Sequence, residues 1–205
     1  AHARDLGFSR IAIATNAMMF RREAFVDKLI AAGLTRVTIS MHGHTASLED
    51  KLTDVPGAYA KKVEAMAHLR RRRDAGLLPD GLSVNIVLNN WNYRVLPKMM
   101  RFFFEDMDLD DLRVNFVRPE GYAEGNADLT PTLTEVMPVL MKAVVLNEYH
   151  FKKVFTFAGV PLCVLPDKLL NSHNLMRRYA GDVYRDLSTD CSIRSGGLSH
   201  GVSQV

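Results

Sequence analysis

Short apolar runs alternate along this chain with longer stretches in which apolar residues recur every three or four positions. The runs are typical of buried strands, and we predict strands at residues 11–15, 37–41, 82–88, 112–117 and 154–157. The longer stretches have the period of amphipathic helices, and we predict helices at residues 21–32, 58–74, 95–107 and 133–149. Gly33 and Gly76 follow two of these helices, at positions where glycine commonly ends a helix.

The alternation of strands and helices with short connections predicts an α/β fold with a parallel sheet. Two architectures satisfy it, an open doubly wound sheet and a full or partial (βα) barrel. Both place functional residues at the carboxyl ends of the strands. After Pro166 the pattern weakens, so we expect a first domain over residues 1–165 and a C-terminal extension over residues 166–205. Because the chain begins within a βα unit, we expect it to be a fragment of a longer protein.

The composition narrows the function classes. The chain has 205 residues, of which 47% are hydrophobic and 24% charged, and its net charge of +3 is too small to indicate nucleic acid. We interpret the basic run at residues 70–73 as a solvated helix end, where cations favour the helix dipole. No apolar run approaches the ~20 residues of a membrane helix, and no signal-peptide pattern is present. Two cysteines do not form a disulfide framework, which favours the reducing cytoplasm.

Hydroxyl, carboxamide and imidazole groups collect at four successive strand ends. The first has Thr15 and Asn16, and the second has Ser40, His42 and His44. The third strand has Asn85 inside it and Asn89, Asn90 and Asn92 just beyond it, and the fourth has Asn115 inside it and Arg118 beyond it. The strand ends carry no pair of carboxylates for a glycosidase-like reaction and no G-x-S-x-G motif, whose one match, at residues 197–201, lies beyond the predicted strands. The chain has no G-x-G-x-x-G or P-loop motif. Taken alone, Asn85 is equally consistent with a residue that pairs a strand edge or bulge. Thr15 and Asn16, taken alone, are consistent with a turn. Their recurrence predicts a cleft that holds a polar ligand by hydrogen bonds.

Five segments, in this order, resemble the central and C-terminal barrel of radical S-adenosylmethionine (SAM) enzymes. They are IAIATNAMMF, GLTRVTISMHGHT, LTDVPGAYAKKVEAMAHL, SVNIVLNNWNYRVLPKMMRFFFE and RVNFVRPEGYAEGN. Similar chains carry a Thr-Asn-Gly turn, a Ser-Leu-Asp/His-Gly strand end, an Asn-x-Val strand and a Pro-x-Gly exit. The resemblance covers about residues 5 to 170. It implies a partial (βα)6 TIM-like barrel, here lacking its first strands.

The resemblance also implies roles for residues and cofactors. Ser40 would face the SAM carboxylate or ribose, Asn85 would lie beside the ribose, and the backbone at Val117 and Arg118 would line the adenine. Thr15 and Asn16 would face the SAM or substrate side of the cleft, and His42 would contact SAM, substrate or its own loop. In such enzymes a [4Fe–4S] cluster, supplied with electrons by a reductant, cleaves SAM to start radical chemistry on a small molecule or peptide. No catalytic residue and no metal ligand is assigned.

Two family features are absent from these 205 residues. One is the Cys-x3-Cys-x2-Cys loop that holds the cluster, and the other is the Gly-Gly-Glu strand end that holds the SAM amino group. Iron–sulfur clusters need thiolates, and the chain has only Cys163 and Cys191. We therefore expect these 205 residues by themselves to bind no cluster and to have no enzymatic activity. Cys163 lies in FAGVPLCVLP, which resembles a segment near auxiliary clusters, and is equally consistent with a small buried apolar residue.

Two alternatives from other classes remain. His42-x-His44 at a strand end is typical of a zinc pair in a TIM-barrel metallohydrolase, which would need further His and Asp ligands at later strand ends. A non-catalytic interaction module would use the barrel only as a scaffold, and would bind no SAM even within the whole protein.

Overall fold

A single parallel sheet organises the chain. The computed structural model describes residues 2–118 and 123–179. The five strands are β1 (Ala12–Thr15), β2 (Arg36–Ser40), β3 (Leu82–Leu88), β4 (Asp111–Phe116) and β5 (Val154–Ala158). They lie in the order β1-β2-β3-β4-β5, and each neighbouring pair is parallel. The predicted parallel sheet in sequential order is therefore confirmed, and the five described strands show no reversal of strand order of the kind that a doubly wound sheet has.

Helices connect the strands. They are α1 (His2–Asp5), α2 (Glu23–Ala31), α3 (Ala46–Thr53), α4 (Ala58–Asp74), α5 (Leu96–Arg101), α6 (Leu133–Leu146), α7 (Asp167–Leu170) and α8 (His173–Tyr179). The last turns of α5 and α6 continue as π-helical turns, Phe102–Asp106 and Asn147–Phe151. Within these described ranges no helix is long and apolar enough to cross a membrane.

The two faces of the sheet differ in chemistry. Because side chains alternate along a strand, Val37 and Ile39 point to one face and Thr38 and Ser40 to the other. The apolar face is fully buried at Val37 and Ile39, is partly buried at Ile13 in β1 and Phe116 in β4, and joins the helices in one hydrophobic core. The opposite face is polar and half-buried at Thr38, Ser40 and Asn85; the buried Ser83 and Thr38 are hydrogen-bonded through their hydroxyls at 2.8 Å. Among residues 2–118 and 123–179 the helices that form the core pack against the apolar face, so the polar face is the one that a ligand could approach.

Helix α3 was not predicted from the sequence. It has few apolar residues, and it begins at Thr45, whose side-chain oxygen accepts a hydrogen bond from the Leu48 N–H. A threonine at this position satisfies an amide that the helix itself leaves unpaired. The helix ends at Asp54, which has a positive φ of 53°. This short polar helix matters because it packs directly behind the end of β2.

The interpretation of the basic run as a solvated helix end is wrong for two of its arginines. The side chains of Arg72 and Arg73 are each only 13% exposed. Arg72 pairs with Glu23 and Asp27 of α2, and these carboxylates raise its pKa. Arg73 pairs with Asp108 at 2.7 Å. These arginines tie α4 to its neighbours.

The start of the predicted C-terminal extension packs onto the sheet. The rings of Tyr179 in α8 and Phe155 in β5 lie 5.8 Å apart, and both residues are fully buried. The Tyr179 hydroxyl also accepts a hydrogen bond from the Asn147 side chain. Residues 166–179 therefore complete the core beside β5, and residues 180–205 lie outside the described ranges.

Candidate functional site

Ser40, the last residue of β2, lies beside Asn85, in the middle of β3, on the polar face. The two residues are direct partners in the register of β2 and β3, so their side chains share that face. Asn115, from β4, donates a hydrogen bond from its Nδ2 to the Asn85 Oδ1 at 2.7 Å. A hydroxyl and two carboxamides from three neighbouring strands thus meet at one place. This set can hold a polar ligand without any charged group.

A cavity of about 440 Å³ lies between α3 and the loops that follow β2, β3 and β4, and none of Ser40, Asn85 and Asn115 lines it. Val87 connects the two places, because it lines the cavity and lies two residues beyond Asn85 on the same face of β3. The walls of the cavity combine apolar groups with a few polar ones: His42, Lys51, Leu52, Asp54, Val87, Asn89, Trp91, Val117 and Leu129. Small-molecule sites commonly have this mixture. Trp91 is 42% exposed, and the Lys51 ammonium lies 4.0 Å from the centre of its ring. The planar face of Trp91 is suited to stacking against an aromatic ligand group.

Asn92 fixes the strand ends that border the cavity. Its side chain is fully buried and donates from Nδ2 to the carbonyl oxygens of His42, at 3.0 Å, and Val87, at 2.9 Å. Its Oδ1 accepts from the Asn89 N–H at 2.8 Å. One carboxamide therefore joins the end of β2 to the end of β3. Asn89 lines the cavity and supports the same loop, since its Nδ2 donates to the Val87 carbonyl oxygen at 3.2 Å and its Oδ1 accepts from the Trp91 N–H at 2.9 Å.

A buried ion pair supports the turn after β2. Glu49 of α3 is fully buried and Lys62 of α4 is 3% exposed, and Glu49 Oε1 and Lys62 Nζ lie 2.5 Å apart. The other carboxylate oxygen of Glu49 accepts from the backbone N–H groups of His42, at 2.6 Å, and Gly43, at 2.7 Å. Lys62 also donates to the Ser40 carbonyl oxygen at 2.8 Å. The pair thus holds three consecutive peptide groups around the proposed ligand site.

Sequence reasoning missed this ion pair. Glu49 and Lys62 are separated by 13 positions on two different helices, and charged residues in amphipathic helices usually face solvent. Gly43 carries the nearest signal, because its missing side chain lets α3 approach closely. A Cβ atom at Gly43 would lie only 2.6 Å from the Glu49 backbone nitrogen. Glycine in a strand-end loop can indicate such a close backbone approach.

Thr15 and Asn16 take a different place from the other predicted site residues. Thr15 pairs with Ile39 in the register, so its side chain lies on the helix-covered face, opposite to that of Ser40. Its Oγ1 accepts from the Ala17 N–H, and the exposed Asn16 accepts from the Met18 N–H. Both side chains stabilise the turn after β1, as the turn interpretation predicted. Ala17 in this turn has a φ of 62°, in the region that favours glycine.

The remaining predicted contacts lie at the end of β4. Val117 lines the cavity, and its N–H donates to the Leu88 carbonyl oxygen at 3.0 Å. Arg118 follows it and is exposed. The loop beyond, residues 119–122, lies outside the described ranges. Val117 is thus brought to the same cavity as His42, while Ser40 and Asn85 lie on the adjoining polar face.

The two histidines after β2 do not form a zinc pair with further ligands. The Nδ1 of His42 accepts a hydrogen bond from the Val87 N–H at 3.1 Å. The Nδ1 of His44 is buried without a hydrogen-bond partner, and burial, together with Lys98, lowers its pKa. Among residues 2–118 and 123–179, no group of three or more His, Cys, Asp and Glu is placed to hold a metal ion. The metallohydrolase alternative therefore gains no support from this part of the chain.

Cys163 does not belong to a metal-binding group among residues 2–118 and 123–179. Cys163 is exposed and forms no disulfide, so its interpretation as a buried apolar residue is wrong. Cys191 lies outside the described residues.

We expect the free energy of unfolding to fall as the pH drops from about 7.5 to about 5.5. Burial is the main cause that lowers the pKa of His42; Glu49 opposes it and Lys62 adds to it. The pKa of His44 is lowered too. Because the unfolded histidines take up protons near their ordinary pKa of about 6.5 and the folded ones do not, acid favours the unfolded chain. The contribution of the two neutral histidines to the free energy of unfolding is fully present above that pH. It is lost as the pH falls through the pKa values that they have in the folded chain.

Urea unfolding across this pH range measures the effect. The fall should be smaller in His42→Gln than in the wild type, since one of the two groups is removed. Wild-type stability that stays constant or rises between about pH 7.5 and 5.5 would contradict the burial of neutral histidines.

Two curated proteins are similar to this chain. A PqqA peptide cyclase of Rhodopseudomonas palustris is 35% identical over 136 residues, which are 66% of this chain and 34% of that protein. A probable GTP 3′,8-cyclase of Metallosphaera sedula is 26% identical over 156 residues, 75% of this chain and 46% of that protein. The chain thus spans about a third and just under a half of the length of these relatives. No family model matches the chain.

Proposed function

We propose that this chain is the SAM-binding part of the barrel of a radical SAM enzyme. Both similar proteins are radical SAM enzymes, and each aligns with most of the chain. The resemblance of the strand-end motifs supports the same conclusion. The observation that carries the proposal is the meeting of Ser40 and Asn85 on a polar sheet face, beside a cavity lined by His42 and Val117.

The order of the strands supports a partial barrel. A βα unit that repeats with all helices on one face curves the sheet, and a barrel is built in this way. The polar face with Thr38, Ser40 and Asn85 would then line the interior. The carboxyl ends of the strands would form the mouth, where ligands bind in such folds. The Thr-Asn-Ala turn fits the same family pattern, because Ala17 takes a backbone conformation that glycine adopts without strain.

The residues present fit the chemistry of SAM. This cofactor offers ribose hydroxyls, a carboxylate and an adenine ring, all of which form hydrogen bonds. We assign the Ser40 hydroxyl to the carboxylate or ribose and the Asn85 carboxamide to the ribose. The backbone at Val117 and Arg118 would line the adenine, and Trp91 is another of the residues that line the cavity. Thr15 and Asn16 would shape the turn that borders the cleft, since their side-chain oxygens are already used within it.

The described residues do not fit a [4Fe–4S] cluster. Such a cluster needs several thiolates, and Cys163 is the one cysteine within the described ranges. In the proposed enzyme, residues outside this part of the chain would therefore bind the cluster and contact the reductant. The described residues would bind and orient SAM and exclude water around it.

A peptide is the substrate class that we propose. The support is the printed name of the relative with the higher identity, a peptide cyclase, which aligns over 136 residues. The substrate would reach SAM from the open side of the polar face. No described residue is assigned to the substrate itself.

Ser40→Ala should weaken SAM binding to the full-length protein by about 1–3 kcal/mol, since a buried polar group of the ligand loses its partner. The measurement is a SAM titration of the anaerobically reconstituted protein, with iron content determined in parallel. Iron should be unchanged, because Ser40 is not a cluster ligand.

Ser83→Ala is the matched control. It removes a hydroxyl from the same sheet face, one alternation nearer the amino end, where Ser83 bonds Thr38 instead of the proposed ligand. Its SAM affinity should equal that of the wild type. Equal affinities in Ser40→Ala and the wild type would remove Ser40 from the site, and a wild type that binds no SAM would favour the interaction module.

A further inference from the structure

The hydrogen bond from β3 to His42 decides which ring nitrogen carries a proton. The Val87 backbone N–H donates to His42 Nδ1 at 3.1 Å. A backbone amide can only donate, so Nδ1 must present a lone pair. In a neutral imidazole the single ring proton then lies on Nε2. The ring is thus a donor at its outer nitrogen.

The charged groups around His42 hold its backbone and leave its ring neutral. Glu49 accepts from the His42 N–H, and Asn92 donates to the His42 carbonyl oxygen, so both peptide groups of the residue are fixed. Lys62 neutralises Glu49 from α4. Lys51 and Asp54, from α3 and its end, line the same cavity. Burial and Lys62 lower the pKa of His42 against the opposing effect of Glu49.

The outer nitrogen of this ring has no partner among residues 2–118 and 123–179. All the hydrogen bonds of His42 in these ranges use its Nδ1 or its backbone. Nε2 is also not among the side-chain atoms that are buried without a partner, which leaves it accessible. Because the residue lines the cavity of about 440 Å³, that space is where a partner atom can lie.

We propose that His42 is presented to this cavity as a fixed hydrogen-bond donor through Nε2–H, and that the bound ligand places an acceptor oxygen or ring nitrogen against it. Glu49 is the positioning residue: it holds the His42 and Gly43 amides and does not touch the ligand. The identity of the ligand as SAM rests on the proposed function. The donor character of the ring rests on the Val87 hydrogen bond alone.

The tautomer is measured directly by nitrogen NMR of histidine-labelled protein near neutral pH, with His42→Gln used to assign the signal. We expect a neutral ring with a protonated Nε2 and an unprotonated Nδ1. A ring protonated at Nδ1, or a charged imidazolium at this pH, overturns the inference. This measurement needs no ligand, so its outcome is independent of SAM binding.

Two substitutions separate the two ring nitrogens in binding. Glutamine places an amide NH2 near the position of Nε2, while asparagine places an oxygen near the position of Nδ1 and leaves no outer donor. We expect full-length His42→Asn to bind SAM about tenfold more weakly than His42→Gln, the effect of one lost hydrogen bond. Thermal unfolding of both variants checks that each is folded at the titration temperature.

Equal affinities of the two variants, or tighter binding by His42→Asn, overturn the donor role. A wild type that binds no SAM overturns the proposed function, and the assignment of SAM as partner of His42 falls with it. A protonated Nδ1 in a wild type that binds SAM overturns the donor inference only. The two failures are therefore distinguishable.

Discussion

Lys62→Met should lower the free energy of unfolding by about 3–5 kcal/mol, the cost of leaving one charge of a buried pair alone. Glu49 is fully buried and its Oε1 lies 2.5 Å from Lys62 Nζ, so removing the ammonium strands the carboxylate. The Ser40 carbonyl oxygen loses its donor as well. Methionine keeps most of the volume of lysine, and the loss therefore reports charge and hydrogen bonding instead of a cavity.

Urea unfolding of the two proteins gives the difference, and Arg71→Met is the control. Arg71 also pairs with a glutamate from another helix, but its side chain is 55% exposed. Exposed pairs are screened by water, so the control should lose much less stability. The double variant Glu49→Gln/Lys62→Met should recover part of the loss, because no charge is left buried. Similar losses in Lys62→Met and Arg71→Met would contradict the importance of the buried pair.

Gly43→Ala should destabilise the protein by about 2–3 kcal/mol, as expected when a methyl group is forced into closed packing. The added Cβ would lie 2.6 Å from the Glu49 nitrogen and 3.0 Å from the Glu49 Cα. These are backbone atoms of α3 and cannot rotate away. The helix must therefore shift, and the Glu49 hydrogen bonds to the His42 and Gly43 amides lengthen with it.

Gly125→Ala is the matched control for this substitution. A Cβ at Gly125 meets no atom of residues 2–118 and 123–179 within 4 Å, so the same chemical change adds no contact with this part of the chain. In denaturant unfolding, the free energies of unfolding of the two variants should differ by about 2–3 kcal/mol, the whole loss expected for Gly43→Ala. If Gly43→Ala and Gly125→Ala unfold at the same denaturant concentration, α3 does not depend on the close approach to Gly43.

The strands and the larger helices could be predicted because their hydrophobic periods are strong. Each predicted strand overlaps an observed one to within one residue at either end, and α4 has the predicted bounds of Ala58–Asp74. Helix α3 could not be found in this way. Its stability comes from the Thr45 cap and from Glu49, a charged residue whose burial depends on Lys62 from another helix. Hydrophobic periodicity carries no information about such a pair.

The candidate site was predictable in part. Alternation within β2 places Ser40 on the polar face, and Asn85 occupies the neighbouring position in β3. The side chain of Thr15 could not be placed from its own strand, because its face depends on the register between β1 and β2. Which ring nitrogen of His42 is the donor could be learned only from the structure, since the N–H group that donates to its Nδ1 belongs to Val87, 45 residues away.

A crystal structure of the full-length protein with SAM tests the proposed site most directly. We predict SAM at the carboxyl end of the polar sheet face, with a polar atom of the cofactor about 3 Å from the Ser40 Oγ and another at the same distance from the Asn85 carboxamide. The adenine ring should lie near Val117. SAM bound elsewhere, with neither Ser40 nor Asn85 in contact with it, would contradict the assignment of this sheet edge to the cofactor.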